Sequence, residues 1–211
     1  RRALALSAAG TDRRQLAEAR FRMGFALVWA DRVEEAVAQL ETAVADARRI
    51  GDAMAETRAT SYRAIALRRC NRVDAALEAG TEALEAARQI DDTYYQGHAH
   101  AVMGWASWKR GEHAGAQRLL SKAFDLWGRV DRDGQTAANV EFAWLAAWPL
   151  CAIALEHGTP SASAVHLSWL AAQWERPMGD ELSRAVEAAQ AAPSNETIST
   201  ALALAIEERL L

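Results

Sequence analysis

The sequence predicts an all-α protein in which antiparallel helix pairs are stacked into a solenoid, and three observations support this fold class. The first is a repeat of 40 residues, which several columns of residues keep in the same phase. The second is the helical spacing of apolar residues within each repeat. The third is an alanine-rich composition with 51% hydrophobic residues and only 4 prolines among 211 residues, which favours helix. A repeat of roughly 20–50 residues is typical of stacked helical folds.

Five columns of residues carry the repeat, and each contains three residues that lie 40 positions apart. The columns are Gly24, Ala64 and Gly104; Asp31, Asn71 and Gly111; Ala36, Ala76 and Ala116; Ala43, Ala83 and Ala123; and Ile50, Ile90 and Val130. Small residues let two helices approach to about 8–10 Å. The small columns therefore predict where the helices of a pair touch.

The first repeat, residues 12–52, divides into two helices with apolar residues at helical spacing, over 12–30 and 33–50. Gly51 suits the left-handed end of a helix, and Asp52 suits the N-cap of the next helix. The rest of the chain divides into two regular repeats, a degenerate repeat and a C-terminal helix pair or cap. These four units cover residues 53–92, 93–133, 136–175 and 180–211.

The 40-residue register changes after the third repeat, and the start of the chain also shows where its first repeat begins. A polar loop is predicted at 131–135, and Gly158 follows Gly111 by 47 residues instead of 40. The same periodicity makes residues 1–10 the end of a helix from a preceding repeat. We therefore expect a single solenoid over 1–211 that is a fragment of a longer protein.

Composition excludes several classes of function. A net charge of −4 without a basic stripe argues against direct nucleic-acid binding. The longest apolar run, residues 142–155, contains Pro149 and is too short to span a membrane. The 2 cysteines, Cys70 and Cys151, have no CxxC partner, which favours a reducing cytoplasm.

The order of small and large residues within a repeat resembles the tetratricopeptide repeat. The positions that carry the resemblance are Gly24, Leu27, Ala36, Leu40 and Ala43; Ala64, Leu67, Ala76, Gly80 and Ala83; Gly104, Ala116, Leu120 and Ala123; and, less well, Cys151, Ser163, Leu167 and Leu170. The period exceeds the usual 34 residues by about six, which longer helices absorb. The resemblance implies a right-handed superhelix. Such long repeats are similar to the C-terminal repeat region of large bacterial ATPase-linked regulators.

The resemblance also implies a concave groove lined by the first helix of each pair. Carried over residue by residue, the groove positions hold an aromatic and cationic set. Its members are Phe21, Phe25, Trp29, Arg68, Arg69, His98, Trp105, Trp108, Lys109 and Trp148. Because tryptophan and arginine are enriched at binding hot spots, we expect Arg68, Arg69, Trp105 and Trp108 to be partly exposed on one side. If the tryptophan rings are buried between repeats, a plain scaffold is the alternative.

These features predict a non-enzymatic protein-interaction or sensor domain of a larger cytoplasmic bacterial signalling or transcriptional regulator. Its partner would be a protein or peptide, which another domain of the same parent chain could supply. The alternative is a small-molecule effector domain in which Trp105, Trp108 and Trp148 enclose the ligand. A third reading is an all-α enzyme with an unrecognised motif. No P-loop, GxGxxG or GxSxG motif is present, and the histidine spacing predicts neither a metal site nor a cofactor.

Overall fold

The computed structural model describes residues 13–132, 142–172 and 179–207, with the side chains of 13–127, 142–167 and 179–204. These parts contain ten α-helices and no β-strand, so the predicted all-α class is confirmed. The helices are α1 (Arg13–Trp29), α2 (Val33–Ile50), α3 (Ala53–Arg69), α4 (Val73–Gln89), α5 (Thr93–Lys109), α6 (His113–Arg132), α7 (Trp144–Glu156), α8 (Pro160–Ala172), α9 (Asp180–Ala191) and α10 (Asn195–Glu207).

The helices form two layers. Helices α1, α3, α5 and α7 contact one another in that order, and we call them the A helices. Helices α2, α4 and α6 form the second layer, and each of them packs between two successive A helices. Helix α8 packs on α7, and the pair α9 and α10 packs on α8. This is the solenoid-like stack of antiparallel pairs that the 40-residue repeat predicts.

The turns between helices use the left-handed backbone conformation at the predicted positions. Among the residues that the structure describes, those with positive φ are Asp31, Gly51, Asn71, Asp91, Gly111 and Gly158, with φ between 53° and 77°. Aspartate and asparagine tolerate this conformation better than other residues that have a Cβ atom. Because Gly158 repeats the role of Gly111, the turn does reappear after 47 residues, as the sequence predicts.

The predicted N-cap at Asp52 is formed and recurs at Asp92, whereas the next repeat lacks it and its helix is longer. The Asp52 carboxylate accepts a hydrogen bond of 3.0 Å from the amide of Ala55, and Asp92 caps α5 in the same way. The corresponding position in the next repeat is Arg132, which cannot accept such a bond. Helix α6 accordingly continues to Arg132, so the predicted loop does not begin at Asp131. Residues 1–12, 133–141, 173–178 and 208–211 lie outside the described residues.

The small columns set the distance between the helices of a pair. A Cβ atom added to Gly24 would lie 2.6 Å from Cγ of Leu40, and one added to Gly104 would lie 2.7 Å from Cγ of Leu120. These distances are too short for carbon atoms. The glycines are therefore required by the packing of the leucine that faces each of them.

The core has two main parts, and α7 contributes to both. The larger part joins α1 to α7, and the smaller one includes Cys151, Leu167, Leu182 and Ile198. Within the predicted fourth pair, the Ser163 hydroxyl donates to the Cys151 carbonyl oxygen at 2.9 Å, and the Cys151 thiol donates to the Ser163 carbonyl oxygen. No helix in the described parts is long and apolar enough to cross a membrane.

Candidate functional site

An aromatic stripe runs along α1 and continues onto α3. Phe21, Phe25 and Trp29 lie four residues apart and therefore share one face of α1. Their neighbouring ring centroids are 6.3 and 6.0 Å apart. Tyr62 of α3 extends the stripe, because its ring lies 5.1 Å from that of Phe25. Phe25 and Trp29 keep 36% and 44% of their surfaces exposed. The three predicted α1 residues are thus brought together by the fold.

Phe142 covers the next part of this aromatic surface. Its ring is 2% exposed and contacts residues from three A helices. The centroid distances are 6.0 Å to Trp29 on α1, 5.7 Å to Tyr62 on α3, and 6.3 Å and 4.5 Å to Tyr94 and His98 on α5. All four contacts are tilted or edge-to-face, and aromatic rings prefer such arrangements to a face-to-face sandwich. The chain itself therefore places an aromatic side chain on the predicted groove. We call the surface of α1, α3 and α5 around Phe142 the A-helix surface.

His98 lies at the centre of this cluster and is 1% exposed. Five aromatic rings lie within 6.2 Å of its ring, measured between centroids. They belong to Tyr62, Tyr94, Tyr95, Trp127 and Phe142. Neither ring nitrogen of His98 has a hydrogen-bond partner among the described residues. Burial lowers the pKa of His98 to about 3, so its imidazole is neutral at physiological pH.

Arg68 holds the segment that follows Phe142. Its guanidinium Nη1 donates a hydrogen bond of 2.6 Å to the carbonyl oxygen of Leu145. The rings of Trp105 and Trp144 lie 5.6 and 5.3 Å from its central carbon, within the range of cation–π contacts. Among the described residues, no carboxylate pairs with Arg68. Burial lowers the pKa of its guanidinium to about 9.

Pro149 explains why Leu145 needs an outside donor. In an α-helix the amide of residue i donates to the carbonyl oxygen of residue i−4, and proline has no amide hydrogen. Pro149 lies inside α7, so the carbonyl oxygen of Leu145 has no donor from its own helix. Arg68 supplies that donor from α3.

Two further predicted residues join helices to one another. Arg69 donates to the carbonyl oxygen of Val28 and, at 3.1 Å, to the Asp31 carboxylate. These bonds tie the end of α3 to the turn after α1. The ring nitrogen of Trp108 donates to a Glu156 carboxylate oxygen at 3.1 Å and thereby joins α5 to α7. Both residues are therefore engaged in helix packing.

The remaining predicted residues lie around Trp108. The Trp148 ring is 6.3 Å from that of Trp108 and perpendicular to it. The ammonium group of Lys109 lies 4.4 Å from the centroid of the Trp108 ring. Lys109 is exposed, whereas both tryptophans are half-buried. This group sits at the contact between α5 and α7, apart from the ring cluster around His98.

The expected exposure of Arg68 and Trp105 is wrong. Arg68 is 6% exposed and Trp105 is 4% exposed, and Arg68 is hydrogen-bonded to the segment that follows Phe142. Trp108 and Arg69 are half-buried. Among the predicted aromatic residues, Phe25 and Trp29 on α1 remain exposed.

Three residues that complete the site are not among the predicted ones, namely Tyr62, Tyr94 and Phe142. Two signals were available. Phe142 begins the longest apolar run of the chain, and Pro149 inside a predicted helix implies that the carbonyl oxygen of Leu145 needs a donor. Neither signal identifies the donor or the surface that the ring contacts.

No group of three histidine, cysteine, aspartate or glutamate side chains in the described ranges is placed to hold a metal ion. The sequence matches no protein-family profile and no curated protein.

Proposed function

We propose that this chain is a protein-interaction domain of the tetratricopeptide type, whose A-helix surface binds an aromatic segment of a protein partner. The resemblance of its repeats to those of bacterial ATPase-linked regulators favours a role as the docking or sensor part of a larger cytoplasmic signalling or transcriptional regulator. In this proposal the domain itself performs no catalysis.

The observation that carries the proposal is the position of Phe142. Its ring lies against Trp29, Tyr62 and His98, which come from three different A helices. A surface that accepts one aromatic side chain in this way has the shape and chemistry to accept another. Buried aromatic anchors of this kind supply a large part of the affinity in protein interfaces.

The open face beside Phe142 supports the same function. Phe25 and Trp29 are exposed large apolar side chains and are continuous with the covered rings. A charged pair borders the same aromatic stripe at Phe21, since Arg58 pairs with Glu18 at 2.5 Å and lies over the Phe21 ring. An apolar patch with a polar rim is typical of a protein interaction site.

The alternative, a small-molecule effector site enclosed by Trp105, Trp108 and Trp148, has less support. Trp105 is buried, and the indole N–H of Trp108, its single side-chain donor, is hydrogen-bonded to Glu156. These contacts favour a packing role for the tryptophans.

Site-specific photo-crosslinking tests the proposal. A benzoylphenylalanine replaces Trp29 on the A-helix surface or, as a matched control, the exposed Glu41 on α2. Each full-length protein is produced in its own organism and irradiated, and the adducts are identified by mass spectrometry. We expect a discrete protein adduct from position 29 and none from position 41. Identical adducts from both positions, or none from position 29, would refute the proposed function.

A further inference from the structure

We propose that residues 142–145, here called the anchor segment, are a releasable internal ligand of the A-helix surface, which a partner peptide of the same chemistry displaces. The inference rests on the proposed function, because it assumes that the surface binds aromatic segments of other proteins. It adds a regulatory step, since the partner must compete with a segment of the same chain.

Two kinds of contact hold the anchor segment in place. The first is the packing of the Phe142 ring on Trp29, Tyr62 and His98. The second is the hydrogen bond from Arg68 to the carbonyl oxygen of Leu145. They act at the two ends of a four-residue segment and together define its position and register on the A helices.

Two buried polar groups destabilise the closed state, in which the anchor segment lies on the A-helix surface. His98 lies under Phe142 with both ring nitrogens lacking a partner among the described residues, and Arg68 is a buried cation that no described carboxylate neutralises. A buried polar group without a partner is costly, and a buried charge more so. Water would reach both groups if the anchor segment left. The closed state is therefore less stable than its aromatic contacts alone would make it, which favours release.

The contacts of the anchor segment define the partner by its chemistry. The partner presents a phenylalanine and, three residues later, a carbonyl oxygen that accepts a bond from Arg68. In this chain the proline four residues after Leu145 leaves that carbonyl without a helical donor. A partner segment with the same spacing of phenylalanine and proline would offer the same two groups. It could also cover Phe25, which remains exposed.

Competition reduces the apparent affinity of the partner by the fraction of molecules that are open. A tethered segment competes at an effective concentration on the order of millimolar. Removing the Phe142 ring should therefore increase the affinity for an added peptide. This gain is the measurable consequence of internal competition, and a groove without an internal ligand would not show it.

The experiment uses the full chain and a fluorescent peptide with the sequence of residues 142–150, extended by lysines for solubility. Peptide binding is measured by fluorescence anisotropy for the wild type, Phe142→Ala and Phe142→Leu. Leu84→Ala is the matched control, because Leu84 is a buried residue of α4 that belongs to a separate cluster. A peptide in which alanine replaces the phenylalanine tests the anchor itself. Circular dichroism shows whether each variant is folded. If Phe142→Ala does not fold, Phe142→Leu still tests the proposal.

We expect Phe142→Ala to bind the peptide at least about tenfold more tightly than the wild type, since an open fraction of roughly one tenth or less lowers the apparent affinity by that factor. The affinity of Phe142→Leu for the peptide should lie between those of the wild type and Phe142→Ala, and the affinity of Leu84→Ala should equal that of the wild type. The peptide with alanine in place of phenylalanine should not bind. Equal affinity for all variants would overturn the internal competition and leave the docking function standing. Binding to none of the folded variants would also overturn it, and crosslinking from position 29 would then decide the proposed function separately.

Discussion

Arg68 on α3 completes the hydrogen bonding of α7 at Leu145, 77 positions away along the chain. The carbonyl oxygen of Leu145 would normally accept from the amide of residue 149, and Pro149 has no amide hydrogen. One long side chain thus compensates for a proline in another helix. The guanidinium of Arg68 is buried where it makes this bond, and it therefore loses its hydration by water.

The first prediction is that Arg68 and Pro149 are energetically coupled. Arg68→Met leaves the carbonyl oxygen of Leu145 without a donor, which typically costs about 1–3 kcal/mol. In a Pro149→Ala background the amide of residue 149 can donate, so the same substitution should cost less. We expect a coupling free energy on the order of 1 kcal/mol, measured by urea denaturation of the four proteins. Other effects of Arg68→Met cancel in the cycle, and a coupling free energy near zero would contradict this account of Pro149.

The regular part of the fold could be predicted because its determinants are local. Columns such as Asp31, Asn71 and Gly111 mark turns through the backbone conformation of a single residue. Columns such as Gly24 and Gly104 mark the places where two adjacent helices meet. Each of these signals needs only the sequence of one helix pair, and the repeat shows it three times.

The cover of the A-helix surface could not be predicted in the same way. Phe142 contacts Trp29, Tyr62 and His98 only after the register changes, so the repeat does not give its position. The motif positions correctly identify the face of the A helices, but they carry no information about what lies on it. Arg68 and Trp105 were therefore expected to be exposed, although the same chain buries them.

A second prediction concerns the small columns. Ala76 and Ala116 are fully buried between helices, so replacing either by leucine should cost roughly 1–3 kcal/mol through overpacking. Ala38→Leu is the control, because Ala38 is exposed on α2 and a surface substitution usually changes stability by less than about 0.5 kcal/mol. Denaturant unfolding measures all three variants. If Ala38→Leu were as destabilising as Ala76→Leu, helix packing would not explain the columns.

A third prediction separates two reasons why a position requires glycine, namely a left-handed backbone at Gly111 and close helix packing at Gly104. Gly111 has a φ of 77° and no atom within 4 Å of an added Cβ, so Gly111→Ala should cost about 1–2 kcal/mol through backbone strain alone. Gly111→Asn should cost less, because Asn71 adopts the same conformation one repeat earlier. Gly104→Ala should instead be relieved by shortening Leu120 to alanine. Thermal unfolding of these variants tests both parts, and relief of Gly111→Ala by a Leu120 substitution would contradict the distinction.

The last prediction concerns pH. The pKa of His98 is lowered from 6.5 to about 3 by burial, so the unfolded chain binds a proton at this residue between these pH values and the folded chain does not. The free energy of unfolding therefore falls as the pH decreases from 6.5 towards 3, by up to about 1.4 kcal/mol per pH unit from this residue. The titratable side chains whose rings surround His98 are Tyr62, Tyr94 and Tyr95, and burial raises the pKa of Tyr95 to about 12.

His98→Phe should remove that part of the pH dependence and keep an aromatic ring in the cluster. His100 and His166 also have pKa values lowered by burial, so the variant should retain a smaller slope in the same direction. The measurement is urea denaturation of both proteins between about pH 7 and pH 5, from which the difference in bound protons follows as the slope. Equal slopes for the two proteins would show that His98 binds a proton equally in the folded and the unfolded chain, which would contradict the effect of burial on its pKa. A lower slope in the variant would instead identify the neutral imidazole of His98 as a group that makes the folded state sensitive to acid.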